Sequence, residues 1–248
     1  MTPLKTLLAR VDSLKAQWDA ARPIPAALLE QLREDSEVLL TYHSNAIEGN
    51  TLTLGETKAI LLDGITIAGK PLREHLEAVN HREALRLMTR LAQTGTRLLE
   101  TEVLELHRAI LTGIQSEDAG VYRTVRVRVA GSMRIFPNPL KVPELMAAFV
   151  TDVNTLQAHP VVIAARAHYG LVAIHPFVDG NGRSARLLMN LLLLRHTYPP
   201  VLVPVELRAR YYDALEAANN GDLEPFDALI AGVVIASLER VLEVVGGD

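Results

Sequence analysis

Hydrophobic residues recur every three or four positions along most of the chain, separated by polar residues. This spacing places the apolar side chains on one face of an α-helix and predicts an all-α protein. Glycine, proline and short polar runs separate the segments. We expect ten helices, at 4–20, 25–48, from 53 onward, 72–93, 100–115, 143–158, 160–174, 182–197, 207–219 and 225–244. Thr53 and Glu56 have capping-box spacing, which supports the start of the third helix.

One segment follows a different period. In "YRTVRVRVAGSMRIF", Val125, Val127 and Val129 alternate with threonine and arginine, and a Gly-Ser pair at 131–132 precedes a second short run. Alternation with a period of two around a turn is typical of a β-hairpin. We therefore expect a small hairpin at about 123–137 on an otherwise helical protein.

Composition narrows the class of protein. The chain has 248 residues, of which 49% are hydrophobic and 22% are charged, enough for a substantial core. The net charge of -4 argues against a broad basic surface for nucleic acid. The apolar runs are too short to span a bilayer, and the first residues lack the apolar core of a signal peptide. Because cysteine is absent, a reducing cytoplasm is the simplest setting.

The segment "HPFVDGNGRSAR", at 175–186, places polar residues between two apolar helices. Gly180 and Gly182 flank Asn181, and glycine permits backbone angles that other residues avoid. Successive backbone N–H groups can then point into one concavity, and the free N–H groups at the start of the next helix can join them. This arrangement predicts an anion site suited to a phosphate group.

The charged residues of the segment extend this prediction. Arg183 and Arg186 are three residues apart on one helix face, where they would reach further phosphates. Asp179 is explained if a Mg²⁺ ion bridges the carboxylate and the phosphates. His175, at the end of the preceding helix, could accept a proton from an attacking hydroxyl. We expect Phe177 to point into the core and anchor the loop.

Each of these residues also has an ordinary structural explanation. A histidine at a helix end is usually a cap, Asp-Gly and Asn-Gly are usually turns, and two arginines on one face are usually solvated. A structural turn would not need all of them in this order. A Walker loop is excluded because no Gly-Lys-Ser/Thr follows, and a dinucleotide fingerprint is excluded because no strand precedes the turn.

At every fixed position, "HPFVDGNGRSAR" resembles the signature of Fic-domain proteins, His-x-Phe-x-Asp/Glu-Gly-Asn-Gly-Arg-x-x-Arg. The segment "GVYRTVRVRVAGSMRIFPNPLKVPELM" resembles the hairpin, or flap, of the family and the residues after it. The resemblance implies a Fic-type helical bundle with a small β-hairpin flap. We expect an N-terminal helical region at 1–99 that carries an inhibitory helix at about 25–48. A Fic core would follow at 100–220, with a C-terminal helix at 221–248 packed on it.

Members of this family typically transfer AMP from ATP to a Ser, Thr or Tyr hydroxyl of a target protein and release pyrophosphate. The resemblance makes His175 the catalytic base and Asp179 the ligand of Mg²⁺. It assigns the ATP phosphates to five residues of the loop, Gly180, Asn181, Gly182, Arg183 and Arg186.

A glutamate lies at the end of the second predicted helix. In "TYHSNAIEGN", Glu48 precedes a Gly-Asn stop signal, where the helix dipole disfavours a negative charge by ~0.3–1 kcal/mol. Taken alone, this residue is an exposed glutamate screened by solvent. However, "SNAIEG" resembles the inhibitory motif of the family, Ser/Thr-x-x-x-Glu-Gly/Asn, at Ser44, Glu48 and Gly49. The resemblance implies that Glu48 pairs with Arg186 and restrains AMP transfer.

The resemblance also implies that the flap docks a segment of the target protein as an added strand. Arg126, Arg128 and Met133 would lie near that edge, although they could equally be solvated side chains that protect it. The expected partners are therefore ATP and a target protein, including the chain itself by auto-modification. We expect no nucleic acid and no membrane partner, and a homodimer stays open.

Three alternatives remain at this point. Glu48 could align a water that removes AMP from a modified target, which would make the protein a de-AMPylase. The protein could use another nucleotide donor, although Arg183 and Arg186 together favour a triphosphate. It could also be a non-catalytic regulatory or binding protein with this fold, against which the complete signature argues.

Overall fold

The computed structural model describes residues 2–128 and 134–246. The all-α prediction is confirmed, since this part of the chain contains α-helices and short 3₁₀ or π turns. The α-helices in chain order are α1 (Leu4–Ala20), α2 (Ala26–Ile47), α3 (Leu54–Lys58), α4 (Leu72–Ala92), α5 (Glu100–Leu111), α6 (Val142–Thr155), α7 (Pro160–Ile174), α8 (Asn181–Arg195), α9 (Arg208–Asn219) and α10 (Glu224–Val245). None of the helices within the described ranges is long and apolar enough to cross a membrane.

Helix α8 lies at the centre of the bundle and packs against α7, α4, α5 and α2. Leu188, Met189 and Leu191 are fully buried on different sides of it. A helix that is apolar all round is stable only inside a core, where each buried side chain of this size contributes about 1.5–3 kcal/mol. The position of α8 explains why the polar residues at its start are buried as well.

The two ends of the described chain meet on the bundle, because α1 packs along α10 and α10 also packs on α7 and α9. Val11 and Leu14 of α1 belong to the same hydrophobic cluster as Val234 and Leu238 of α10. This cluster includes residues of all three expected segments, 1–99, 100–220 and 221–248. The boundaries between these segments stay predictions.

Local signals set several helix ends. Both hydrogen bonds of the capping box are present, from Glu56 N–H to Thr53 Oγ1 at 3.2 Å and from Thr53 N–H to the Glu56 carboxylate at 2.7 Å. The fifth helix ends at Leu111, earlier than the expected 115, because Gly113 has a φ of 73° that a helix cannot continue through.

The expected β-hairpin is wrong for the described residues. Residues 121–128 and 134–138 approach each other without forming strands. Val125 is 53% exposed, so little burial stabilises a strand at this position. An isolated two-stranded hairpin is marginal in water. The residues at its predicted tip, including Val129 and Met133, lie outside the described part of the chain.

A side chain holds this segment together instead. Arg123 donates hydrogen bonds to the carbonyl oxygens of Val125 and Pro137, one from each arm, at 3.0 and 2.7 Å. We use the name flap segment for residues 121–128 and 134–138. These two arms form no strands and are joined by one guanidinium group.

Candidate active site

The loop between α7 and α8 begins and ends with left-handed backbone. His175 caps the end of α7 with φ 52° and ψ 59°, and Gly180 precedes α8 with φ 78°. The left-handed conformation is easy for glycine but strained for histidine. Between them Phe177 is fully buried, as expected, with its ring stacked on His107 of α5 at 3.5 Å. The loop is therefore anchored in the core at its middle.

Asn181 closes the loop from the first turn of α8. Its side-chain oxygen accepts a hydrogen bond from Phe177 N–H at 3.0 Å, and its Nδ2 donates to Phe177 O at 2.9 Å. The amide thereby links the first turn of α8 to the backbone of Phe177. No side chain caps α8, and its first N–H groups lack partners within the helix.

His175 is arranged as a proton acceptor. Its Nδ1 lies 3.3 Å from Val172 O, and a carbonyl can only accept, so Nδ1 carries the proton and Nε2 carries the lone pair. Burial lowers the pKa of His175 from 6.5 to about 4, and the charges of Arg123 and Arg134 act in the same direction. The ring of Phe136, from the flap segment, packs on the imidazole at 4.2 Å. At neutral pH this histidine is the free base.

Arg186 and the two residues of the expected inhibitory motif come together, although they are more than 130 positions apart in the chain. Arg186 Nη2 donates to the Glu48 carboxylate at 2.8 Å and to Ser44 O at 2.9 Å. Arg186 Nε donates to Ser44 Oγ at 3.0 Å. Arg186 is only 4% exposed, whereas 34% of the Glu48 side chain is open to solvent, so the ion pair is buried on the arginine side alone.

The carboxylate of Glu48 also lies over the beginning of α8. A Cβ atom built on Gly182 would collide with Glu48 Oε1. Gly182 is therefore the residue that lets this carboxylate approach the free N–H groups of α8. Glu48 occupies the position at which the sequence predicts an anion.

A second set of charges surrounds Asp179. Its Oδ1 accepts a hydrogen bond from Gly180 N–H at 2.6 Å and lies 3.4 Å from Arg183 Nη2. Its Oδ2 accepts from Arg73 of α4 at 2.6 Å. Glu77, one turn along α4, lies between Arg73 and Arg183 at 3.1 and 3.5 Å. Burial tends to raise the pKa of Asp179, but the two arginines and the N–H group outweigh it and lower the pKa.

Tyr211 of α9 holds the far side of Arg186. Its hydroxyl accepts from Arg186 Nη1 at 3.4 Å and shares a hydrogen bond with His168 Nε2 at 2.9 Å. Burial, followed by the charge of Arg186, lowers the pKa of His168 to about 3, so its imidazole is neutral. Arg186 thus keeps a partner on α9 that does not depend on Glu48.

His107 of α5 holds the loop through a hydrogen bond to its backbone. Its Nδ1 accepts a hydrogen bond from Gly120 N–H at 2.9 Å, so its Nε2 carries the proton and donates to Asp179 O at 3.0 Å. Burial lowers the pKa of His107 to about 4, which keeps this neutral tautomer at physiological pH.

The sequence pattern did not indicate several residues of the site. Arg73 and Glu77 form an ordinary i, i+4 pair on α4, and nothing in that spacing points to the loop. The others contact the loop from separate elements: Arg123, Phe136, His107, Tyr211 and His168. Arg126 and Arg128 lie exposed on the flap segment, and Met133 falls outside the described residues.

Comparison of the sequence with known proteins finds related chains. The model of the Fic/DOC family matches residues 97–193. The protein adenylyltransferase fic-1 of Caenorhabditis elegans is 41% identical over 241 residues, which are 96% of this chain and 47% of that protein. The chain thus spans about half the length of the curated relatives it matches.

Solved structures have the same architecture. A structure of C. elegans Fic-1 superposes with a TM-score of 0.83 at 39% identity, covering 97% of this chain and 70% of that one. A Fic domain-containing signaling protein from Bacteroides thetaiotaomicron superposes with a TM-score of 0.88 at 29% identity, covering 96% of this chain and 98% of that one.

Proposed function

The chain belongs to the Fic/DOC family, and we propose that it transfers AMP from ATP to a hydroxyl group of a target protein, with release of pyrophosphate. The observation that carries this proposal is the neutral His175 beside a helix N-terminus flanked by Arg183 and Arg186. Relatives at about 40% identity are named protein adenylyltransferases, which supports the same reaction here.

The proposed reaction is an in-line displacement at the α-phosphorus of ATP. The hydroxyl oxygen of a Ser, Thr or Tyr residue forms a bond to this phosphorus, and its proton passes to His175 Nε2. The bond from the α-phosphorus to the oxygen that bridges it to the β-phosphate breaks, and pyrophosphate leaves. The hydrogen bond from Nδ1 to Val172 O holds the imidazole in the tautomer that this step needs.

The phosphates would meet the positive end of α8. Its free N–H groups suit the α-phosphate, and Arg183 and Arg186 suit the β- and γ-phosphates because planar guanidinium groups bind phosphate oxygens in pairs. Both arginines already engage carboxylates, Glu77 and Asp179 in one case and Glu48 in the other. A bound nucleotide therefore replaces protein carboxylates as their partner.

The residues fit a Mg²⁺ ion only together with a nucleotide. Among residues 2–128 and 134–246, no group of three or more His, Cys, Asp or Glu residues could hold a metal by itself. Mg²⁺ is usually bound by one or two carboxylates plus phosphate oxygens, and Asp179, ionised through its lowered pKa, supplies one. When bound, the ion would neutralise charge on the phosphates, and Asp179 would hold it at the loop.

We also propose that Glu48 restrains this activity. Its ion pair with Arg186 occupies the guanidinium that the γ-phosphate needs, and its carboxylate lies over Gly182, where a phosphate would meet α8. A γ-phosphate without its partner would leave the α-phosphate poorly aligned for in-line attack. This pairing supports an enzyme that is weakly active until Glu48 is displaced.

The flap segment is the proposed contact for the target protein. Phe136 places this segment directly against His175, and Arg126 and Arg128 are exposed on it. A target chain docked here would bring its hydroxyl towards Nε2 of the histidine. The identity of the target and the form of docking are separate from the transfer chemistry.

The first test measures AMP transfer by intact-protein mass spectrometry with Mg²⁺ and ATP, with and without a cell lysate. Glu48→Gly should raise transfer ~10-fold or more, because a hydrogen bond between charged groups is worth about 1.5–3 kcal/mol. Adding His175→Ala to Glu48→Gly should abolish transfer. Glu34→Gln, which alters an exposed glutamate on the same helix, is the control and should match the wild type.

The outcomes separate the two parts of the proposal. Transfer that is equally strong in wild type and Glu48→Gly would reject restraint by Glu48 and leave the transferase assignment intact. No transfer by either protein would reject AMP transfer from ATP. Incubating an AMP-modified target with the wild type, in which Glu48 could align a water, then tests for de-AMPylation.

A further inference from the structure

Arg123 is a buried cation whose side-chain hydrogen bonds to the described residues all go to carbonyl groups. It is 2% exposed and stands at the start of the flap segment. Its Nε donates to His175 O at 2.7 Å, its Nη1 to Val125 O at 3.0 Å and its Nη2 to Pro137 O at 2.7 Å. Burial lowers the pKa of Arg123, and no carboxylate in the described part of the chain offsets this effect.

Burying the charge of Arg123 without a carboxylate partner among the described residues costs free energy. Buried charges are usually paired with an opposite charge, because taking a charge out of water is unfavourable. The three carbonyl oxygens that Arg123 binds belong to three separate points of the backbone. Only a planar guanidinium with several fixed N–H groups reaches all three at once, and a lysine ammonium in the same place does not.

The backbone of Arg123 extends the contact with the active-site loop. Its N–H group donates to Pro176 O at 2.9 Å, next to the bond from its side chain to His175 O. His175 is one of two described non-glycine residues with a positive φ, at 52°. Such a conformation persists only where its surroundings hold it in place. Arg123 holds the carbonyl groups of the strained histidine and of the next residue.

We propose that Arg123 is a positioning residue that ties both arms of the flap segment to the backbone of His175. It sets the direction of the imidazole, and a target protein that docks on the flap segment thereby meets a correctly placed proton acceptor. The inference rests on the proposed function in assigning His175 as the base. It adds a residue that lies outside the loop at 175–186.

The electrostatics of the site agree with this role. The positive charge of Arg123 lowers the pKa of His175, after the larger effect of burial. Arg134 acts in the same direction, and Glu48 acts in the opposite one. Removing the cation at 123 should therefore raise the pKa of the histidine, which provides a measurement independent of AMP transfer.

The test compares Arg123→Lys and Arg123→Met, each combined with Glu48→Gly so that activity is measurable. Arg90→Lys, on the exposed surface of α4, is the control. We expect both variants at 123 to lower kcat by about 100-fold, as small misplacements of a catalytic group do. The Kd for ATP, measured by calorimetry, should change less than about twofold because the phosphate contacts of α8 are untouched.

Two measurements on the same proteins do not need turnover. NMR titration of the histidines should show a higher pKa for His175 in Arg123→Met and a smaller change in Arg123→Lys, which keeps the charge. Amide hydrogen exchange at 175 and 177 should become faster in both variants. If Arg123→Met does not fold, Arg123→Lys still tests the loss of the three simultaneous hydrogen bonds to carbonyl groups.

The outcomes distinguish the role of Arg123 from the proposed function. Unchanged kcat and unchanged exchange at 175 in Arg123→Lys would overturn the proposal, and so would a loss of ATP binding in parallel with kcat, which indicates general damage. If Glu48→Gly itself transfers no AMP, the proposed function fails. The pKa of His175 and the exchange rates then still decide whether Arg123 positions the histidine.

Discussion

Asn181 determines the shape of the active-site loop through two hydrogen bonds of one side chain. Both bonds go to the backbone of Phe177, whose ring is buried against His107. The assignment of Asn181 to the ATP phosphates stays a prediction, and its side chain also holds the loop in shape. We expect these two bonds to keep the first N–H groups of α8 available to a phosphate.

Replacing Asn181 with alanine should cost about 1–3 kcal/mol of unfolding free energy, since two buried backbone groups lose their partners. Asn154 offers a matched control, because its amide makes the same two bonds to Leu98, at 2.8 and 2.9 Å, far from the loop. Urea denaturation should show a loss for both variants. Only Asn181→Ala should also weaken ATP binding, measured in the Glu48→Gly background. Equal ATP affinity in the two variants would contradict this assignment.

Helix α2 contacts Arg186 through its last turn and through Glu48, the residue that follows it. Ser44 and Glu48 are four residues apart and present a hydroxyl, a carbonyl and a carboxylate to one guanidinium of α8. Arg208 secures the same turn by donating to Ile47 O at 2.8 Å. The proposed restraint therefore belongs to the contact between two helices, and its strength depends on how firmly α2 docks.

Ser44→Ala should raise AMP transfer, but by less than Glu48→Gly. The substitution removes the bond from Arg186 Nε to Ser44 Oγ, which is worth about 0.5–1.5 kcal/mol, and leaves the ion pair with Glu48 in place. Ser36→Ala, a buried change about two turns earlier on α2, is the control. The initial rate of modification, followed by mass spectrometry, distinguishes the variants. A Ser44→Ala rate equal to that of the wild type would show that this hydroxyl plays no part.

Three fully buried histidines connect the stability of the bundle to pH. Burial is the main reason that the pKa values of His81, His107 and His168 fall to about 3, 4 and 3. All three lie on helices that surround α8, and two of them hold groups of the site directly. Each must stay neutral in the folded protein, whereas the unfolded chain takes up a proton near pH 6.5.

The unfolding free energy should therefore fall as the pH drops from 6.5 towards 4. In this window the unfolded state binds more protons than the folded one, so each histidine removes about 1.4 kcal/mol per pH unit, an order-of-magnitude figure. Above pH 7 these residues should contribute no dependence. Urea denaturation at pH 7.5, 6.5 and 5.5 measures the effect. A stability that stays constant between pH 6.5 and 5.5 would contradict the buried neutral state.

The sequence by itself determined features that depend on neighbouring positions. The apolar period predicted the helices to within a few residues, and the Thr53–Glu56 spacing predicted a capping box that is present. The polar residues at 175–186 formed one candidate site because they are contiguous in the chain. The resemblance of two short motifs also suggested which distant partner Glu48 would meet, and the structure places it against Arg186.

Contacts between distant elements were decided only by the tertiary structure. The alternating valines predicted a hairpin, but the described residues there form no strands, and Arg123 clasps the two arms instead. Arg73 meets Asp179 across 106 positions, and His107 meets it across 72. A sequence pattern indicates which face of a helix is apolar, but the packing of the helices selects the polar partners at their ends. For this reason the loop could be found from the sequence, whereas the side chains that hold it in shape could not.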